Sequence, residues 1–167
     1  MTQRKFSSTD IAWFAGLFEG EGCAILKRDG TAQISIAMVD HDVIERANNY
    51  MGDRKIFTGS LSSGKPFYAA TTARATSVHR ILTAIYPYLG KRRQQQASKA
   101  IWGAERVLEN DIDSKQRAIL VKELYARGIS RKELTNLCGV SRCTIDNVVT
   151  GRTKTLGLRK LGMRYVQ

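Results

Sequence analysis

The sequence is poor in several residues and patterns, and each shortage excludes a class of protein. Its only cysteines, Cys23, Cys138 and Cys143, form no C-x-x-C pair, and with two histidines they cannot assemble a zinc site at the usual spacing. We expect these thiols to be buried and reduced. No apolar run is long enough to span a membrane, and none follows the N-terminal charges as in a signal peptide. The sequence therefore predicts an intracellular protein, whether of the cytoplasm or nucleoid, a phage-infected cell or an organelle.

Acidic residues are also scarce relative to basic ones. There are 27 Lys and Arg residues against 15 Asp and Glu, which gives a net charge of +12 and a pI near 10.0. Such a surface attracts polyanions, and nucleic acid is the leading partner. An anionic membrane is the weaker alternative, because the chain has no basic amphipathic helix with an aromatic face.

The region near the N-terminus predicts a helix with an unusual second half. Ser7 and Asp10 have the spacing of a capping box, and the apolar positions that follow recur on one face, at Ile11, Phe14, Ala15 and Phe18. Gly16 and Gly20 then lie one turn apart, although each interior glycine costs about 0.5–1 kcal/mol relative to alanine. This spacing lets a second helix approach almost to backbone contact, so a partner helix is predicted.

Two acids stand at the predicted end of this helix. Glu19 and Glu21 oppose the negative end of the helix dipole, at a cost of about 0.3–1 kcal/mol each. If two copies of the helix pack in parallel, the two Glu21 carboxylates come close together and repel by roughly 3 kcal/mol at a separation of about 5 Å. Divalent cations would relieve that repulsion.

The nine residues from Phe14 to Gly22 read Phe-Ala-Gly-Leu-Phe-Glu-Gly-Glu-Gly and closely resemble the signature of LAGLIDADG homing endonucleases, in the variant whose acids are glutamates. The resemblance implies that Glu21 is the catalytic, metal-binding acid. It also implies a dimer interface at Ala15, Gly16 and Gly20, and one copy per chain implies a homodimer with two or three Mg²⁺ ions per dimer. The alternative is a glycine-rich turn from helix to strand with solvated acids.

The pattern beyond the signature predicts two hairpins separated by helices. Strands are predicted at 23–28 and 32–38 and at 55–61 and 66–72, with helices from Asp40 and from about Thr76. The resemblance implies an α+β protein with the order αββαββα, in which a four-stranded antiparallel sheet is laid on DNA. Outward side chains of Lys27, Gln33 and Ser35 suit base edges in a groove, and they suit solvent almost as well.

A basic segment follows the third helix. Lys91, Arg92 and Arg93 begin a helix although the dipole disfavours cations there. The segment resembles the family's stretch of proline, apolar residue, lysine and glutamine, which implies that Lys91 polarises the attacking water or offsets charge on the phosphate. Arg92 and Arg93 are predicted phosphate contacts. The alternative is a solvated basic helix start.

One position departs from the family. Many members carry a glutamine late in the second strand that orders water, and this chain has Asp40 nearby, which either substitutes through water or leaves the role unfilled. Asp40, His41 and Asp42 together favour a helix cap with first-turn acids over a metal cluster.

The C-terminal third has a different pattern. A polar, acidic break at 110–114 predicts a boundary, giving an endonuclease domain at 1–110, a second domain at 111–155 and a basic tail at 156–167 that contains Arg159, Lys160 and Arg164. In the second domain, Ser130 and Glu133 predict a capping box, Gly139 a tight turn and Ser141 a further helix cap.

This arrangement resembles the helix-turn-helix of DNA-binding proteins. Apolar residues occupy the core positions of that motif, at Leu134, Val140, Ile145 and Val148. The resemblance implies that the last helix enters a major groove through Arg142, Thr144 and Asn147, with Arg152 and Lys154 on phosphates. The alternative is a purely structural three-helix appendage.

These observations predict a homodimeric, metal-dependent DNA endonuclease that cuts both strands at a long, roughly palindromic site. A transcription regulator or intron-splicing maturase, which binds nucleic acid on the same fold without cutting it, is the alternative. A plain helix-turn-helix regulator with an unrelated N-terminal sensor domain is the third reading.

Overall fold

The structure, a computed structural model, describes residues 6–52 and 55–156. Within these ranges the chain forms four β-strands and six α-helices, and the predicted α+β class is confirmed. The chain divides into two compact units, Met1–Val107 and Leu108–Gln167. No helix in the described ranges is both long and apolar enough to cross a membrane.

The first unit begins with the predicted order of helix, two strands, helix, two strands and helix. Its strands are β1 (Gly22–Leu26), β2 (Ala32–Met38), β3 (Phe57–Ser60) and β4 (Pro66–Thr72). Its helices are α1 (Ser8–Glu21), α2 (His41–Met51), α3 (Ala75–Ile85) and the first part of α4 (Lys91–Ala126), with a short 3₁₀ turn at Tyr86–Tyr88.

Helix α1 begins where the capping box predicts. The Ser7 hydroxyl accepts a hydrogen bond of 3.1 Å from the Asp10 N–H, and the Asp10 carboxylate accepts one of 3.3 Å from the Ser7 N–H. The Ser7 side chain, followed by the Ser7 N–H, holds the pKa of Asp10 below its usual value. Helix α2 ends at Gly52, whose φ of 107° only glycine adopts easily.

The four strands form one antiparallel sheet in the order β1-β2-β4-β3. Both predicted hairpins are present, and their turns contain Gly30 and Gly64 at φ of 82° and 79°. Alternation along β2 buries Ile34 and Ile36 and leaves Ala37 exposed, as period-two patterning requires.

The core of the first unit lies between the helices and one face of the sheet. Phe14 stacks on Tyr50 with ring centroids 4.2 Å apart, and Phe14 and Phe18 are fully buried. Aliphatic side chains complete this core, chiefly Ile34, Ile36, Ile44, Met51, Val78, Ile81, Leu82 and Ile85. Burial of this apolar surface is what stabilises the sheet and helices together.

The predicted break at 110–114 is wrong, because α4 continues without interruption for 36 residues from Lys91 to Ala126. Solvent-exposed polar residues are compatible with a helix, and an ion pair of 2.6 Å between Asp111 and Lys115, one turn apart, supports it. The boundary between the two units falls inside α4, at Val107. The functional division into domains at 1–110 and 111–155 stays a prediction.

The second unit contains the rest of α4, followed by α5 (Arg131–Cys138) and α6 (Arg142–Val149). The predicted core residues Leu134, Val140, Ile145 and Val148 are buried. Leu156, which was assigned to the tail, is also fully buried, and its N–H donates to the Ser114 carbonyl at 2.9 Å. The remaining predicted tail, with Arg159, Lys160 and Arg164, lies outside the described residues.

The expectation that the three thiols are buried is wrong for two of them. Cys23 and Cys143 are exposed, and Cys138 is partly buried. All three are free cysteines, and burial raises the pKa of the Cys138 thiol.

Candidate functional site

Helix α1 passes directly into β1, with no residue between Glu21 and Gly22. The Gly22 N–H donates to the Phe18 carbonyl and so closes the last turn of the helix. A Cβ atom at Gly22 would lie 2.4 Å from the Phe18 ring, so a larger residue would displace that buried side chain. The last glycine of the signature is therefore required by close packing inside the chain.

Close packing of this kind does not require glycine at position 16 or position 20. Both are exposed, and a Cβ atom built on either would meet nothing within 4 Å. Because packing within the described part of the subunit does not demand these glycines, they leave an open backbone surface along α1. Such a surface permits the close approach of another helix.

Ala15 does not belong to that surface, which corrects the prediction that it lies at a dimer interface. Its side chain is 2% exposed and is packed in the core of its own subunit. The exposed small residue one turn before Gly16 is Ala12. Positions 12, 16 and 20 share one face of a helix, so Ala12 replaces Ala15 in the candidate contact surface.

The two acids at the end of α1 have different surroundings. The Glu19 carboxylate is partly buried and accepts a hydrogen bond of 2.9 Å from the Gly90 N–H. Glu21 is exposed, and its carboxylate makes no hydrogen bond or ion pair with any residue in the described ranges. Glu19 therefore has a structural role within the chain, and Glu21 offers a free carboxylate.

Arg93 closes the end of α1. Its Nε donates to the Glu19 carbonyl at 3.0 Å, its Nη2 to the Gly20 carbonyl at 3.1 Å, and its Nη1 to Gln96 Oε1 at 3.1 Å. The residue is only 8% exposed. All three guanidinium nitrogens donate hydrogen bonds inside the chain, so Arg93 caps helix α1. This role replaces the phosphate contact that the sequence predicts for Arg93.

The bonds to Arg93 and Gly90 also bring the start of α4 to the end of α1. Lys91 is the first residue of α4 and follows Gly90 directly, and Lys91 and Arg92 are both exposed. The structure thus brings the segment that carries the predicted lysine to the end of α1 that carries the predicted acid. Two cations at a helix N-terminus, unfavourable in isolation, are available for an anion.

The sheet turns one face away from the helices, here called the outward face. Its residues alternate along each strand with those that face the core, and they are Cys23, Ile25, Gln33, Ser35, Ala37, Phe57, Gly59, Phe67, Ala69 and Thr71. The predicted contacts Gln33 and Ser35 lie on this face and are partly exposed. Lys27 is exposed just beyond β1, where its N–H donates to the Thr31 carbonyl at 2.9 Å.

The contribution of β3 and β4 to this face was not predicted from the sequence. Thr71 pairs with Ser35, which itself pairs with Cys23, and Phe57 pairs with Ala69 across the other edge. The alternating pattern of residues 66–72 predicts strand β4. It does not predict that β4 pairs with β2, which is the pairing that places Thr71 beside Ser35.

The donor chemistry at Glu21 suits a hard divalent cation, because carboxylate oxygen is the ligand that Mg²⁺ prefers. Within the described ranges no three His, Cys, Asp or Glu side chains are grouped closely enough to hold a metal. An ion at Glu21 would therefore need ligands other than a cluster of such side chains from the described residues. Asp40 is exposed at the N-cap of α2, where its side chain makes no capping hydrogen bond.

In the second unit, α5 and α6 are joined by a three-residue turn at 139–141. Ser130 and Glu133 form the predicted capping box, and the hydrogen bond from the Ser130 hydroxyl, followed by that from its N–H, lowers the pKa of Glu133 below its usual value. Gly139 has a φ of 61°, and the Ser141 hydroxyl accepts from the Thr144 N–H at 3.3 Å. Each predicted local feature of this turn is present.

The five predicted contacts of the second unit differ in accessibility. Arg142, Arg152 and Lys154 are exposed, whereas Thr144 and Asn147 are partly buried. The Thr144 hydroxyl lies 2.8 Å from that of Ser141, and the Asn147 amide donates to the Cys143 thiol at 3.8 Å. The three cations are therefore the most available groups on and just beyond α6.

No protein-family model and no curated protein matches the sequence. Solved structures with some similarity include homing endonuclease I-CvuI in complex with the I-CreI target, at 16% identity and a TM-score of 0.41 over 68% of this chain and 74% of that one. The complex of I-CvuI with its own target has 15% sequence identity and a TM-score of 0.43, and the match covers 69% of this chain and 74% of that one. The group I intron-encoded homing endonuclease I-CeuI, complexed with DNA, has 9% sequence identity and a TM-score of 0.45, and the match covers 69% of this chain and 63% of that one. Values this low do not assign a function to this chain.

Proposed function

We propose that the chain is a homodimeric, divalent-metal-dependent DNA endonuclease of the LAGLIDADG type that cuts both strands at a specific, roughly palindromic site. The observation that carries the proposal is the end of α1. An exposed carboxylate at Glu21 follows an open backbone surface at Gly16 and Gly20, and a glycine at position 22 fixes the turn of the chain immediately after it. The net charge of +12 supports a nucleic-acid substrate.

In the proposed dimer, two α1 helices contact each other along Ala12, Gly16 and Gly20. Both Glu21 carboxylates then meet at the two-fold axis, beside the scissile phosphates. Two Glu21 side chains and phosphate oxygens together would hold two or three Mg²⁺ ions per dimer, which supply Lewis-acid chemistry for water attack.

The chain's own residues perform the remaining roles. Lys91 of each subunit offsets negative charge on the phosphate during hydrolysis, and Arg92 contacts a neighbouring phosphate. Arg93 holds the end of α1, and with it the direction of the Glu21 carboxylate. The outward face, with Gln33, Ser35 and the adjacent Lys27, lies on the DNA.

The second unit is proposed to act as a helix-turn-helix module. The positive groups around α6 support this role, with Arg142, Thr144 and Asn147 toward a major groove and Arg152 and Lys154 on phosphates. One such module per subunit would extend the contacted DNA on both flanks of the cut.

The test separates binding from cutting. A duplex selected from a random library in the absence of divalent cations is incubated with Mg²⁺, and nicking and double-strand cleavage are measured for wild type and Glu21→Gln. We expect wild type to cut and Glu21→Gln to bind at least as well without cutting, because the substitution removes a negative charge facing phosphate. The matched control is Glu109→Gln, the same change at an exposed glutamate of α4, which should cut normally.

Two results would contradict the proposal. If wild type binds the selected duplex but never cuts it with Mg²⁺ or Mn²⁺, the chain is a non-cleaving regulator or maturase. If Glu21→Gln cuts as wild type does, the catalytic acid is elsewhere.

A further inference from the structure

The outward face is uncharged, although the protein as a whole is strongly basic. Among the described strand residues that point away from the core, none is Asp, Glu, Lys or Arg. The exposed cations lie in the turns and at the strand ends, at Lys27, Arg28, Lys65 and Arg74. An uncharged surface between flanking cations complements a DNA groove, in which base edges lie between two rows of phosphates.

Besides Ile25, an exposed apolar residue of the edge strand β1 that pairs with Gln33, this face has two chemically different parts, defined by strand register. Gln33, Ser35 and Thr71 supply amide and hydroxyl groups that donate and accept hydrogen bonds, and Ser35 and Thr71 are direct neighbours. The other part, toward β3, is here called the apolar end and consists of Ala37, Phe57, Phe67 and Ala69. Ala69 pairs with Ala37 on one side and with Phe57 on the other, so the apolar end is continuous across three strands.

The two phenylalanine rings lie on the surface of the sheet, over the space that a glycine leaves open. A Cβ atom at Gly59 would lie 2.4 Å from the Phe67 ring and 3.1 Å from the Phe57 ring, so both rings cover the position where Gly59 has no side chain. Their centroids are 6.0 Å apart. Phe57 remains 60% exposed, so a large apolar ring is accessible to a partner.

We propose that the apolar end selects thymine by contact with its C5 methyl group, an inference that rests on the proposed DNA-binding function. Alanine and phenylalanine side chains cannot donate or accept hydrogen bonds, so they cannot read the polar groups of a base edge. The thymine methyl is the one apolar group that the four bases present in the major groove. The DNA positions that face Phe57, Ala37 and Ala69 are therefore thymines, whereas those that face Gln33, Ser35 and Thr71 are read by hydrogen bonds.

The experiment removes single methyl groups from the DNA. The best-binding duplex selected from a random library is resynthesised with one thymine at a time replaced by uracil, which keeps base pairing and hydrogen-bonding groups unchanged. Binding is measured without divalent cations for wild type, Phe57→Ser and Phe57→Leu. Burial of one methyl corresponds to about a fourfold change in affinity.

For wild type we expect about a fourfold loss at one or more thymines in each half-site. For Phe57→Ser the loss from uracil should disappear at those thymines and persist elsewhere, and Phe57→Leu should restore it because an apolar group is present again. Ile112→Ser, which removes a similar exposed apolar side chain from α4, should behave as wild type. Circular dichroism of each variant verifies that it is folded.

The outcomes distinguish this inference from the function on which it rests. If no duplex is recovered from the library, the proposed DNA-binding function fails. If a duplex binds and replacing thymine with uracil costs no affinity at any position, DNA binding stands and the apolar end does not read methyl groups. If the loss is the same in wild type and Phe57→Ser at every thymine, Phe57 does not contact a methyl group and the inference fails for that residue.

Discussion

The Arg93 guanidinium donates a hydrogen bond of 3.0 Å from Nε to the main-chain carbonyl of Glu19, 74 residues away in the sequence. A second bond of 3.1 Å joins Nη2 to the carbonyl of Gly20. The last carbonyls of a helix have no hydrogen-bond donors within it and carry partial negative charge. A guanidinium group supplies both the donors and a compensating positive charge. This contact fixes the end of α1 against the start of α4.

Replacing Arg93 with Met should destabilise the first unit by about 3 kcal/mol, because two carbonyls lose charged donors in a nearly buried site. Met retains much of the apolar stem, so the loss reports the hydrogen bonds rather than a cavity. Urea unfolding at neutral pH, followed by circular dichroism, measures the change. Arg92→Met, at the exposed neighbour, should shift stability by less than about 0.5 kcal/mol. Equal effects of the two substitutions would show that Arg93 does not cap α1.

Gly16→Leu should dissociate the proposed dimer without unfolding the subunit. A Cβ atom at position 16 meets nothing within 4 Å in the part of the chain that the structure describes, and leucine favours a helix by about 0.8 kcal/mol over glycine. Sedimentation velocity measures the oligomeric state, and a thermal melt verifies the fold. Asn49→Leu places the same side chain at an exposed position of α2 and should leave the dimer intact. A Gly16→Leu protein that still sediments as a dimer would remove α1 as the interface.

Ser130→Ala should lower stability in a pH-dependent way. The hydrogen bonds from Ser130 depress the pKa of Glu133 in the folded protein, so the stabilisation is present above the unfolded pKa of about 4.3 and is lost as pH falls through the lower folded value. The difference in unfolding midpoint between wild type and Ser130→Ala should therefore be largest at neutral pH and shrink toward pH 3. Ser141→Ala is the matched control, because Ser141 caps α6 through Thr144, which does not titrate. Its effect should change little with pH, and a flat profile for Ser130→Ala would contradict the linkage.

Arg152→Ala should weaken DNA binding to all sequences alike and reduce the slope of log affinity against log salt by about 1, as for the loss of one phosphate contact. Arg142→Ala should instead relax the preference at one base pair in each half-site, at a cost of about 1–3 kcal/mol. Fluorescence anisotropy on the selected duplex at several salt concentrations measures both. Lys132→Ala, an exposed cation of α5 outside the predicted contact set, should leave the slope unchanged. If Arg152→Ala keeps the wild-type slope and Arg142→Ala keeps the wild-type base preference, α6 does not face DNA.

Features encoded by neighbouring residues could be predicted from the sequence. Both capping boxes, the strands of each hairpin and the buried face of α1 are present in the structure, because each depends on residues a few positions apart. The turn at Gly139 belongs to the same class, since a positive φ favours glycine wherever it occurs.

Features that depend on residues distant in the sequence could not be predicted. The role of Arg93 requires the end of α1 beside it, and local composition does not distinguish Arg93 from its neighbour Arg92. Ala15 was assigned to the wrong surface because the signature does not say which small residues face the core. The polar segment at 110–114 was read as a break because a solvent-exposed helix and a loop have similar composition.

The absence of any linker between α1 and β1 would limit how the proposed nuclease could change its target. Glu21 ends the helix and Gly22 begins the strand, so the proposed catalytic acid and the first strand of the proposed DNA-binding sheet share one continuous backbone. No loop lies there that could lengthen or shorten the offset between the proposed cut and the nearest contacted base. In the proposed enzyme, new specificities would therefore arise by exchanging side chains on the strands.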